Sequence, residues 1–151
     1  MRGSVLGLVS AVALVACGGG GGGTASTPAP SATPTPIAFT MNAVANSGVS
    51  GSGTITKSAG SFTVVVKLTG LAPNSSHISH IHKGSCGSPD GIALALSQVV
   101  ADGSGAATAT TSFQQDYSIP TGGWYVNVHA GPDLSSPANG QSISCGDLTA
   151  G

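Results

Sequence analysis

Three of the chain's four histidines, His77, His80 and His82, lie almost side by side, and the fourth, His129, stands far downstream. Side chains along a β-strand alternate between faces, so His80 and His82 project from one face and can grip a single ion together. Imidazole is a borderline ligand that suits copper or zinc far better than magnesium or calcium. A third imidazole from another strand, His129, completes the minimal site. His77 precedes His80 by three residues and points to the opposite side of a regular strand. It is read as a hydrogen-bonding support for the ligand segment, the kind of group that fixes ligand tautomers. The bland alternative is that these histidines only hydrogen-bond within the fold. Protonated imidazole cannot coordinate, so metal affinity should fall as pH drops through ~6.5.

The elements that must carry these groups read as strands. Alternating or β-branched runs cover Ile37 to Ala45, Ser50 to Lys57, Phe62 to Thr69, His77 to His82, Ala93 to Val100, Ala106 to Phe113, Trp124 to Ala130 and Gln141 to Cys145. Turn signals separate them, among them Asn46-Ser47-Gly48, Ser88-Pro89-Asp90-Gly91 and Asp102-Gly103-Ser104-Gly105. Eight short strands imply an all-β fold, an eight-stranded antiparallel Greek-key sandwich or flattened barrel. Phe62, Val64, Val66 and Leu68 should share a core face, as should Trp124, Val126 and Val128. That puts Tyr125, Asn127 and His129 on the other side of their strand.

The start of the chain has a different character. Arg2 and the apolar run Val5 to Val15 read as an export signal over residues 1–16. Leu14-Val15-Ala16-Cys17 resembles the lipobox of bacterial lipoproteins, which implies lipidation at Cys17 and a mature protein that begins there. Residues 17–36, with the unbroken Gly18 to Gly23 and a Thr/Ser/Ala/Pro-rich continuation, read as a tether that cannot bury a core. The expected location is the bacterial cell envelope, facing periplasm or exterior, with membrane contact through the lipid anchor alone. Residues 37–151 are long enough for one domain.

That domain is almost free of charge. Lys57, Lys67 and Lys83 face five aspartates, with no arginine and no glutamate, a net charge of −2. Nucleic-acid binding requires a basic face, and none exists here. In an exported chain Cys86 and Cys145 most simply form a disulfide, which on the chain-entropy picture stabilises by ~4 kcal/mol. The competing possibility is two thiolate ligands for copper.

The stretch Thr69-Gly70-Leu71-Ala72-Pro73-Asn74-Ser75-Ser76-His77-Ile78-Ser79-His80-Ile81-His82 resembles the copper-ligand segment of the copper/zinc superoxide dismutases. Gly84-Ser85-Cys86 and Ser144-Cys145-Gly146 are similar to the two halves of that family's disulfide, and Val126-Asn127-Val128-His129 to the strand carrying its later copper ligand. The same segments resemble the CHRD domain, whose H-x-x-H-I-H and Y-V-N-V-H motifs recur here in His77 to His82 and Tyr125 to His129. The resemblance implies a superoxide dismutase-like fold, a Cys86–Cys145 bridge, and one copper on His80, His82 and His129. The departures are as informative. No histidine lies between Cys86 and Trp124, so no zinc site and no bridging imidazolate are expected. Ser142 stands where the dismutases place their active-site Arg. The shortened loop Gly131 to Gly140 holds Asp133, the wrong sign to draw in superoxide.

Three functions follow from these residues. One is a copper-binding envelope domain that buffers the ion or exchanges it with another protein. Another is a copper-only superoxide dismutase. The last is a CHRD-type structural or adhesion module without metal. No Gly-x-Ser-x-Gly elbow, paired carboxylates or carboxylate-rich calcium loop supports hydrolysis or calcium binding. The residues do not indicate an oligomeric state.

Overall fold

A computed structural model describes residues 34–151. The expected signal, Cys17 and nearly all of the tether lie outside the described residues. Every regular element within them is a strand. These are β1 (Ile37–Ala43), β2 (Ser50–Ser58), β3 (Ser61–Thr69), β4 (Ser76–His77), β5 (Ser79–Ser85), β6 (Ser88–Ala95), β7 (Val99–Val100), β8 (Ala107–Phe113), β9 (Trp124–His129) and β10 (Ser142–Asp147). Eight of them form one antiparallel sheet in the order β6-β5-β9-β10-β1-β2-β3-β8, curled into a half-barrel, while β4 and β7 pair separately.

Hairpins build the two flanks, and β1 joins them. Its first residues pair with β2, from Ile37↔Ile55 to Met41↔Gly51, and its last two cross to β10 as Asn42↔Cys145 and Ala43↔Ser144. The period-two pattern of β3 performs as its sequence implies: Phe62, Val64, Val66 and Leu68 are all buried, beside Phe39, Met41 and Ile55. Phe39 lays its ring over Gly53, where any Cβ would collide with it. Phe62 stacks on Phe113 at 4.7 Å between ring centres, with Tyr117 and Trp124 extending the aromatic cluster. From β9, Val126 and Val128 complete this core with no exposed surface.

Three expected elements differ in the structure, the first being the run Ala93 to Val100, which is divided between β6, ending at Ala95, and β7, which pairs with β4. Ser88-Pro89-Asp90-Gly91, expected as a turn, instead opens β6, and the chain reverses at Cys86-Gly87. Pro89 is tolerated because β6 is the outermost strand, where a missing N–H costs no ladder bond on the open side. Gly84 sits at φ 90° opposite it, where the register shifts. The expected strand His77 to His82 is broken at Ile78. His77 pairs with Val99, while the Ile78 backbone bonds Gly131 and His129. Competition between two neighbouring strands divides the run.

Candidate metal centre

The pairing of β5 with β9 decides the site. His80 lies opposite Asn127 and His82 opposite Tyr125, while β10 sets Ser142 opposite His129. Ile81, Val126 and Val128 point into the apolar core, so His80, His82, Tyr125, Asn127 and His129 occupy the reverse face. That face is buried too, with Asp90 of β6 meeting His82 and Gly140 meeting His129. His80, Asn127 and His129 are only 5–6% exposed.

The three imidazoles form a near-equilateral cluster. Ring centres stand 5.7 Å apart for His80–His82, 5.4 Å for His80–His129 and 5.7 Å for His82–His129. One nitrogen from each ring lies within 4.8 Å of the other two. A triangle of that side places its centre ~2.8 Å from each corner, so closing on an ion at the 2.0–2.1 Å of His–zinc bonds asks less than ~1 Å of each ring. The cluster is convergent and slightly open.

Backbone carbonyls choose which nitrogen faces the centre. His82 Nδ1–H donates to the Asp90 carbonyl at 3.0 Å, and His129 Nδ1–H donates to the Gly140 carbonyl at 2.8 Å. A carbonyl can only accept, so both rings are Nδ1–H tautomers with the lone pair on Nε2. His82 Nε2 and His80 Nδ1 are buried with no hydrogen-bond partner. Leaving such atoms unpaired costs ~1–3 kcal/mol each, and a cation between them would satisfy both. The donor set therefore fits a borderline or soft-to-borderline ion.

Burial lowers the His80 pKa to about 4, with the neighbouring His129 and His82 rings adding to the effect. Burial also lowers that of His129, opposed by its bond to Gly140 and aided by His82. Both rings are neutral at pH 7 and ready to coordinate. The two rings therefore take up protons below the ~6.5 of a free imidazole. The His82 ring also stacks on Tyr125, 5.2 Å centre to centre at 28°. Nothing in the spacing of the sequence announced that contact.

His77 lies apart from the cluster, as its position implied. Its Nδ1–H donates to the His129 carbonyl at 3.0 Å, and its Nε2 meets Ser75 Oγ at 2.7 Å. It thus holds the backbone of a candidate ligand, whereas tautomers are set by Asp90 and Gly140. Cys86 and Cys145 are disulfide-bonded across 59 residues with Cα atoms 5.9 Å apart, which removes them as thiolate ligands. Asp133, read from sequence only as an unhelpful charge, organises the covering loop. Its Oδ1 accepts from Ser135 N, Ser135 Oγ and Asn139 Nδ2, and these bonds lower its pKa. Lys83 is exposed and turned from the cluster.

The described residues bring together the sequence-predicted trio and add Tyr125, Asn127 and Ser142 around it. No curated protein matches this chain. The CHRD domain matches residues 36–131, more than half of the chain, and that span holds all four histidines and stops short of Gly140 and Cys145. The chain belongs to the CHRD domain family.

Proposed function

We propose that this domain binds one copper ion through His80 Nδ1, His82 Nε2 and His129 Nε2, and serves to hold the ion or pass it to a copper-exchanging protein. The observation that carries this reading is the pair of buried, partnerless nitrogens on His80 and His82, in rings that converge with His129 to within 4.8 Å between ligand atoms. Three neutral imidazoles and an open position suit Cu(I), and Cu(II) with water added. Bound copper supplies a Lewis acid and a one-electron redox couple. The chain's own part is to keep the rings buried and convergent. Burial holds His80 and His129 unprotonated, Asp90 and Gly140 orient His82 and His129, and the Cys86–Cys145 bridge fastens the β5–β6 turn to β10.

Similarity to the superoxide dismutases stays part of the proposal. Dismutation is expected to be weak, because neutral Ser142 stands at the position that corresponds by resemblance to that family's Arg, and residues 37–151 contain no arginine. The motif ending at Cys17 supports an envelope lipoprotein, which mass spectrometry of the N-terminus would check. A soluble product with unmodified Cys17 would refute it.

Titration of the metal-free domain with copper, and with zinc in competition, tests the central claim. One equivalent should bind, and replacing His80, His82 or His129 by Ala should weaken it by orders of magnitude while circular dichroism stays β-rich. Stoichiometric binding that survives loss of all three would put the copper on other groups, and no binding by the wild-type domain would leave the histidines a hydrogen-bonding role in a CHRD module without metal. Turnover of superoxide near ~10⁸–10⁹ M⁻¹s⁻¹ would overturn the storage or delivery role.

A further inference from the structure

Asn127 is a buried amide wedged between two candidate ligands. It lies directly across from His80 and two residues before His129 on the same face. Its orientation is dictated by a chain of hydrogen bonds that starts at a carbonyl. Gly140 O requires the proton of His129 on Nδ1, so His129 Nε2 is an acceptor. The amide atom beside Nε2, at 3.4 Å, must then be the Nδ2 donor rather than the oxygen. Oδ1 consequently faces Ser142, whose hydroxyl donates to it. The polarity of the whole relay, from Ser142 through Asn127 and His129 to Gly140, admits one direction only.

This leaves a fixed NH₂ group at the rim of the cluster. Its contact with His129 is long for a hydrogen bond, and the amide nitrogen carries two donors. An amide nitrogen does not coordinate metal, and the amide oxygen is committed to Ser142. If His129 Nε2 gives its lone pair to an ion, the Asn127 donors need another acceptor. Buried donors left unmatched are costly, so the matching acceptor should sit in the open position beside the three rings.

We propose that Asn127, held by Ser142, is the anion-recognising half of the site, and donates a hydrogen bond to a small anion that takes the open position on the bound ion. The ligand class is a compact monoanion with at least two acceptor atoms, one for the ion and one for the amide. The proposal rests on the copper-binding reading. It makes Asn127 a positioning residue for an exogenous ligand, with no coordinating role.

The test is azide titration of the copper(II)-loaded, full-length protein, followed by the azide charge-transfer band and by electron paramagnetic resonance, with copper content measured for each variant. Asn127→Leu keeps the branched shape, with somewhat more bulk, and removes both donors. It should weaken azide binding by roughly 10- to 100-fold, the range for losing one hydrogen bond to a charged group. Ser142→Ala frees the amide to turn over and should weaken azide by a smaller factor, and it keeps the question answerable if Asn127→Leu does not fold. Equal azide affinity in wild type and Ser142→Ala, or in wild type and Asn127→Leu, overturns the role of Asn127 while copper binding stands. Absence of copper from the wild-type protein overturns both.

Discussion

The two faces of β9 are buried alike and built from opposite chemistry. Val126 and Val128 on one side enter a core of aliphatic and aromatic side chains with no polar demand. Tyr125, Asn127 and His129 on the other side are only 3–6% exposed, yet they meet rings and amides whose nitrogens must be matched. Burial of the first kind stabilises by removing apolar area from water, at ~25 cal/mol per Å². Burial of the second kind is unfavourable until hydrogen bonds or a cation complete it. The apolar face accounts for the fold, and the incompletely matched polar face is the one on which the proposed binding rests.

Separate substitutions should break that contrast. The largest effect is expected on the apolar side, where Phe62→Ala removes a buried ring stacked on Phe113. It should cost roughly 3–5 kcal/mol in denaturant unfolding of the metal-free protein. Copper affinity of the fraction that remains folded should change little, and a large loss there would show the two faces to be coupled. Replacing Cys86 and Cys145 by Ser should lower stability by ~4 kcal/mol and also loosen copper, because the bridge fastens both the β5 turn and β10. Unchanged affinity in that variant would confine the disulfide to stability.

On the polar side, His77→Ala removes the bond to the His129 carbonyl without touching a candidate ligand atom. Copper affinity should fall ~10–100-fold, less than for any direct ligand. A loss equal to that of His129→Ala would promote His77 from support to ligand. The mildest effect is that of pH on the metal-free domain. His80 and His129 bind protons less readily when folded than when unfolded, so the unfolded chain gains protons first on acidification. Their contribution to stability is fully present above ~6.5 and is lost as pH falls toward the His80 value of about 4. A midpoint of unfolding that rises between pH 6.5 and 4 would contradict the sign.

Some of this was written in local pattern. Alternation along Phe62 to Leu68 and Trp124 to Val128 announced which side chains turn inward, because the period of a strand is two whatever lies beside it. The same rule paired His80 with His82, placed His129 with Asn127, and set His77 aside. The disulfide and the all-β class were likewise legible from residue types. The Ser88 to Gly91 segment was not, since its turn-forming residues serve equally well on an outermost strand. Nor was the role of Asp133, whose carboxylate is a charge in the sequence and a loop fastener in the fold.

What remained for the tertiary structure was the matching of groups far apart in the chain. Pairing β5 with β9 set one nitrogen from each of three rings within 4.8 Å of the others, and the carbonyls of Asp90 and Gly140 then aimed two of the rings. Every residue carries a carbonyl, so no residue type could announce which one would meet an imidazole. Side-chain alternation is a property of each strand alone. Neighbour, register and tautomer arise only when strands meet.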